Sequence, residues 1–139
     1  MPDAGTVTID TDKRRLDFNV IHGFLSTSYW SPNIARETVR RAIENSLCFG
    51  VYLGNQQVGF ARVITDGATF AYLADVFVLE DYRGRGLSKR LMDAIVNHPH
   101  LQGLRRWMLS TRDAHRLYAQ YGFTSLATPE KVMERRPLQ

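Results

Sequence analysis

Residues 72–92 read YLADVFVLEDYRGRGLSKRLM. From Phe70 to Leu79 the chain is apolar on both faces except for Asp75, which predicts a buried strand with neighbours on both sides. Behind it, Leu87, Leu91 and Ile95 fall four apart while Lys89, Arg90, Asp93 and Asn97 point elsewhere. That is the pattern of an amphipathic helix, ending near His98–Pro99–His100. Strand and helix are joined by a turn holding Arg83, Gly84, Arg85 and Gly86. Such a turn leaves the first N–H groups of the helix without partners, beside the positive end of the helix dipole. Glycines let an anion approach the backbone, the two arginines add charge, and Ser88 offers a hydroxyl. A phosphate cradle and a purely structural turn both fit these letters. Two other phosphate loops do not: GxGxxG would need glycine where Lys89 stands, and GxxxxGK[ST] is absent.

Upstream, TVTID suits a short first strand and DFNVIHGFLSTS a helix capped by Asp17. SPNIARETVRRAIENS suits a second helix, with Ser31 as cap and Pro32 in its first position. LCFGVYLG and QVGFARVITD read as a β-hairpin joined through Gly54 and Asn55. Downstream, RRWMLS predicts a strand and RDAHRLYAQYG a short helix stopped by Gly122. FTSL and KVMER suit closing strands. The expected fold is α/β: a mixed, mainly antiparallel central sheet flanked by helices.

The 139 residues are 44% hydrophobic and 23% charged, the balance of one folded domain spanning 1–139. No apolar stretch approaches the roughly 18 residues of a membrane span, and MPDAGTVTID lacks the marks of a signal peptide, so a cytoplasmic location without membrane partners is expected. The single cysteine, Cys48, sits in an apolar run where burial is expected rather than reactivity. The formal charge is +4, but the arginines come as scattered pairs, which argues against nucleic acid as a partner. The four histidines do not make a metal set.

VFVLEDYRGRGLSKRLM resembles motif A of the GCN5-related N-acetyltransferase (GNAT) family, [QR]-x-x-G-x-[GA], with Arg83, Gly84, Arg85, Gly86, Leu87 and Ser88 in its six positions. Ser88 departs from the usual glycine or alanine. AHRLYAQYGF is similar to the family's later A-x-x-L-Y-x-x-x-G-F motif, with Ala114, Leu117, Tyr118, Gly122 and Phe123 in place. The element order agrees with the GNAT acyl-CoA N-acyltransferase fold.

The resemblance implies acetyl-CoA as co-substrate, its pyrophosphate on the turn at residues 83–88 and its pantetheine arm along Val76, Phe77 and Val78. It implies direct attack by an amine, with Tyr118 protonating the leaving thiolate; Tyr121 is the second candidate. Asp75, alone in its apolar strand, is either a general base or the partner of an arginine such as Arg62. Tyr72, expected on the opposite face of that strand, would bind substrate or hold a water. Thr111 stands where the family often has an asparagine that meets the cofactor arm. The loop HGFLSTSYWSPN would supply acceptor contacts through Phe24, Tyr29 and Trp30, although Phe24 and Trp30 also suit packing of helix on sheet. The implied activity is acetyl transfer to a small-molecule amine. A protein or peptide N-acetyltransferase and a non-catalytic acyl-CoA-binding protein are the alternatives, and a homodimer is compatible with the family.

Overall fold

A computed structural model describes residues 6–137. In chain order the elements are β1 (Val7–Asp10), α1 (Phe18–Leu25), α2 (Arg36–Glu44), β2 (Leu47–Leu53), β3 (Gln56–Thr65), β4 (Phe70–Val78), α3 (Leu87–Val96), β5 (Arg106–Leu109) and α4 (His115–Ala119). The five strands form one sheet in sequence order, antiparallel from β1 to β4 and parallel between β4 and β5. This is the mixed, mainly antiparallel sheet flanked by helices that the pattern predicts.

Alternation along the strands divides the core into two layers. Phe49, Val51, Val58, Ala61 and Val63 pack under α3 and α4 with Leu87, Leu91, Met92, Ile95 and Tyr118. Cys48, Phe60 and Phe77 pack on the opposite face with Ile21, Leu25 and Val39 of α1 and α2. Leu87, Leu91 and Ile95 are all buried, as their four-residue spacing requires. Each such side chain contributes about 1.5–3 kcal/mol relative to exposure. Asp17 caps α1, its side chain accepting from the Val20 N–H at 3.2 Å. Among the described residues no helix is long and apolar enough to cross a membrane.

Two expectations fail. Ser31 and Pro32 do not open α2: the Ile34 N–H bonds back to the Ser31 carbonyl, and Asn33 then takes a left-handed φ of 60°. A residue in that region cannot continue a helix. Ile34 turns into the core instead, and α2 begins at Arg36 with no side-chain cap. FTSL and KVMER form no strands. Residues 123–126 run as turn and coil, and the stretch from Pro129 begins with a single 3-10 turn. Phe123 alone packs on the core, against Trp107 and Tyr118, while Leu126, Val132 and Met133 are exposed, so neither segment has the alternating apolar face of a strand.

Candidate active site

The site begins where β4 changes register. β4 takes three steps, from Ala74 to Phe77, where β3 takes two, from Arg62 to Phe60. The extra step is a β-bulge carrying Asp75 at φ 56°, a left-handed value rare for a side-chain-bearing residue. The faces exchange across it: Ala71 and Leu73 point under α3 and α4, and so do Val76 and Val78. Consequently Tyr72 and Asp75, expected on opposite faces, line the same cleft.

The ladder between β4 and β5 runs from Phe70–Arg106 to Leu73–Leu109 and stops, while β4 continues to Val78. Its last five residues therefore have an open edge. The Leu79 N–H bonds to the Val58 carbonyl at 2.8 Å. By the alternation of an antiparallel ladder, Phe77 also turns its backbone to β3, and Val76 and Val78 turn theirs to the open edge. A Cβ on Gly59 would stand 3.0 Å from the Phe77 carbonyl oxygen, which agrees with that orientation. Phe77 thus offers no backbone group to the edge, contrary to the expectation for it, and its ring stacks on Phe24 at 4.1 Å. The Val78 carbonyl already accepts from Arg83 Nε at 3.0 Å.

At the far end of that edge lies the glycine turn. Gly84 and Gly86 have φ of 80° and 76°, and Gly86 is the N-cap of α3. A Cβ added at either meets nothing within 4 Å, so the space above both is open. Among the described residues the N–H groups of 84–89 have no backbone partner; the first to find one is Arg90, on the Gly86 carbonyl. These groups border a depression of about 440 Å³ that also touches Val78, Arg83, Ser88 and Leu117. Arg85 turns away, its guanidinium over the Tyr82 ring at 5.2 Å.

The split between β4 and β5 opens into a cleft of about 620 Å³, walled by Tyr29, Trp30, Tyr72, Asp75, Arg112 and Tyr118. Tyr118 is buried, and burial, with Tyr29 and Asp113 nearby, pushes its phenol up to about 12. It therefore keeps its proton throughout the neutral range. Both Asp75 oxygens are engaged, one by Arg62 Nε at 2.8 Å and the other by Trp30 Nε1 at 2.9 Å. Arg62 and Asp75 keep only 17% and 10% of their side chains exposed. Of the two readings of Asp75, the geometry has the arginine pair. The Tyr72 hydroxyl bonds to Ser110 Oγ at 3.1 Å, and Thr111 Oγ1 accepts from the Ala114 N–H at 3.0 Å.

Two expected residues stand elsewhere, and Cys48 is where its apolar run puts it. Phe24 does not line the cleft but is partly buried between Phe77 and Trp30. Tyr121 bonds to Asp93 at 2.9 Å and to the Lys89 carbonyl on the flank of α3. Cys48 is buried, its thiol pushed up to about 11, which leaves it protonated and inert. One residue escaped the sequence reading: Arg112, whose backbone N–H bonds to the Tyr29 hydroxyl at 3.2 Å and whose guanidinium lies over the Tyr29 ring at 3.9 Å. Its only signal was a cation just past the end of β5, ahead of the second motif.

A sheet splayed at a bulge, with a glycine turn heading the helix that follows the splayed strand, defines the class: the GNAT fold. Comparison with known proteins agrees. The family model described as Acetyltransferase (GNAT) domain matches residues 44–125. A Gibberella zeae protein, "Putative acetyltransferase FG08082", is 31% identical over 140 residues, covering 84% of this chain and 77% of that protein. A crystal structure from Xanthomonas campestris pv. campestris, also described as a putative acetyltransferase of the GNAT family, is 54% identical. It covers 97% of this chain and 96% of its own, with a TM-score of 0.93. A Clostridium acetobutylicum structure, described as a predicted acetyltransferase with acetyl-CoA, has a TM-score of 0.70 at 14% identity, over 94% and 96% of the two chains, a likeness of fold alone. The chain belongs to the GNAT acetyltransferase family.

Proposed function

We propose that this protein is an acetyl-CoA-dependent N-acetyltransferase that moves an acetyl group to the primary amine of a small molecule by direct attack. The observation that carries this reading is continuity. The open edge of β4 runs from the unpartnered N–H groups of the glycine turn to the cleft where the Tyr118 side chain lies.

The residues fit the co-substrate. Two left-handed glycines with open space above them, and a run of free N–H groups at the positive end of α3, suit a pyrophosphate. Outward backbone groups of Val76 and Val78 suit an extended amide arm. When bound, acetyl-CoA supplies an activated thioester and a thiolate leaving group. The outward Val76 N–H then serves as a hydrogen-bond donor to charge developing on the thioester oxygen. Tyr118 holds its proton for the leaving sulfur. A phenol raised to about 12 faces a thiol of about 8.5, so full transfer is uphill and Tyr118 acts first as a hydrogen-bond donor to the developing thiolate.

Asp75 works as a positioning residue: with both oxygens occupied it is a poor base, and it fixes Trp30 and Arg62 around the bulge. The attacking amine loses its proton to water, with Tyr72, which gives its own proton to Ser110, as a hydrogen-bond acceptor at the wall. The bridge from Tyr29 to Arg112 joins the loop after α1 to the loop after β5. A cleft bridged in this way supports a small acceptor over a peptide laid through an open groove.

The test is release of free thiol from acetyl-CoA over a panel of amines, amino acids and peptides, beside thermal stabilisation by acetyl-CoA. Stabilisation with release from a small amine is the expected result. Stabilisation without release from any acceptor would leave an acyl-CoA-binding protein, and release with peptides alone would move the acceptor class.

A further inference from the structure

The charged groups around the cleft are unequally committed. Arg62 has its counter-charge: Nε meets Asp75, and Nη1 meets Ser46 Oγ at 3.2 Å. Asp75 is spent on Arg62 and Trp30. Arg112 is held in place without being satisfied. Its plane rests on the Tyr29 ring, its backbone is tied to the Tyr29 hydroxyl, and its nearest carboxylate, Asp113, stands 3.7 Å away, beyond hydrogen-bond range. A guanidinium stacked on an aromatic face keeps its edge free and oriented, the arrangement that matches a carboxylate with two parallel hydrogen bonds.

The neighbouring polar groups point the same way. Ser110 Oγ and Thr111 Oγ1 each accept one hydrogen bond, from the Tyr72 hydroxyl and the Ala114 N–H, and the proton of each has no acceptor among the described residues. Arg112, Ser110 and Thr111 are consecutive along one wall. That wall offers donors, with the exposed Asp113 carboxylate following Arg112 on the same cleft, while Asp75, deeper in, is neutralised by its arginine.

Resting on the N-acetyltransferase reading, we infer that the acceptor is an amino acid or a close relative of one: an amine that also carries a carboxylate, gripped by Arg112 with the Ser110 and Thr111 hydroxyls. The carboxylate holds the molecule at the mouth and leaves its amine to reach inward, towards Tyr118.

The experiment compares each common amino acid with its amide and with the amine left when its carboxyl group is removed. Thiol release is measured at saturating acetyl-CoA, and binding to the CoA-saturated protein is followed by thermal shift. At least one amino acid is expected to outperform both of its derivatives roughly 10–100-fold in kcat/KM, the range for a hydrogen bond to a charged group. Arg112→Gln should erase that advantage and leave acetyl-CoA stabilisation unchanged; Arg112→Lys, which keeps charge without the planar fork, should restore only part of it. A panel in which no amino acid binds or reacts better than its amide overturns the inference, as does an advantage that survives Arg112→Gln. Loss of acetyl-CoA binding would instead overturn the reading beneath it, and amino acid binding to the protein alone would still judge Arg112.

Discussion

At the glycine turn the groups that face a ligand are backbone N–H groups, placed by the left-handed dihedrals of Gly84 and Gly86. In the cleft at the other end of the open edge of β4 they are side chains brought together from four separated parts of the chain: Tyr29 and Trp30, Arg62, Tyr72 and Asp75, and the segment from Ser110 to Tyr118. The first end uses groups that every residue carries, so it recognises what is common to its ligands. The second depends on which side chains meet, so it is where specificity resides. Substitutions can separate the two ends.

The largest effect is expected at the junction. Tyr118→Phe removes the proton held for the leaving sulfur and should lower kcat by roughly 10²–10⁴-fold, with the affinity for acetyl-CoA unchanged. The same variant carries a second signature. The folded phenol is raised to about 12 and the unfolded one titrates near 10, so the folded state binds more protons above pH 10. Tyr118 then contributes stability that is complete below about pH 10 and is lost as pH rises through about 12. Denaturation curves taken from pH 9 to 12 should show wild type losing stability relative to Tyr118→Phe as the pH rises.

Asp75→Asn comes next, since asparagine tolerates the left-handed backbone but leaves Arg62 without its counter-charge. Breaking a largely buried pair costs about 3–5 kcal/mol, to be read as a shift in the urea midpoint. If Asp75 only positions its neighbours, kcat of the folded fraction should fall by less than about tenfold, below the range for general-base catalysis. A larger fall, with loss of one limb of the pH profile, would make it the base.

Gly86→Val should weaken CoA binding by about 100-fold, or about 2.7 kcal/mol, because its side chain enters the open space above the turn, and it also costs about 1–2 kcal/mol of stability through the left-handed φ of 76°. Calorimetric titration with CoA measures it, and an unchanged affinity would make the turn merely structural. Far from either end, Asp17→Ala should cost about 1 kcal/mol through its lost cap on α1 and leave kcat/KM alone.

The two ends also differ in how far the sequence disclosed them. A glycine between a strand and an amphipathic helix is a local fact, so the turn and α3 were legible from residues 70–98. Asp75 was visible as the odd charge in its strand, but its bulge was not, because nothing local demands φ 56° there; hence Tyr72 was assigned to the wrong face. The meeting of Tyr29 with Arg112 spans 83 positions, a separation no spacing rule reaches. Local signals misled where a neighbour overruled them. Ser31 and Pro32 suit a helix start, yet Asn33 turns the chain. KVMER has strand-forming residues, yet Met133 keeps 93% of its surface exposed.

The central claim is that the glycine turn and the split strand serve one co-substrate whose acetyl group leaves at Tyr118. A single assay tests it most directly: free thiol released from acetyl-CoA with and without a panel of amine, amino acid and peptide acceptors, for wild type and Tyr118→Phe at equal acetyl-CoA occupancy. Acceptor-dependent release by the wild type that falls at least about 100-fold in the variant, with occupancy unchanged, is the predicted result. Equal release from both proteins, or occupancy without acceptor-dependent release from either, would contradict it.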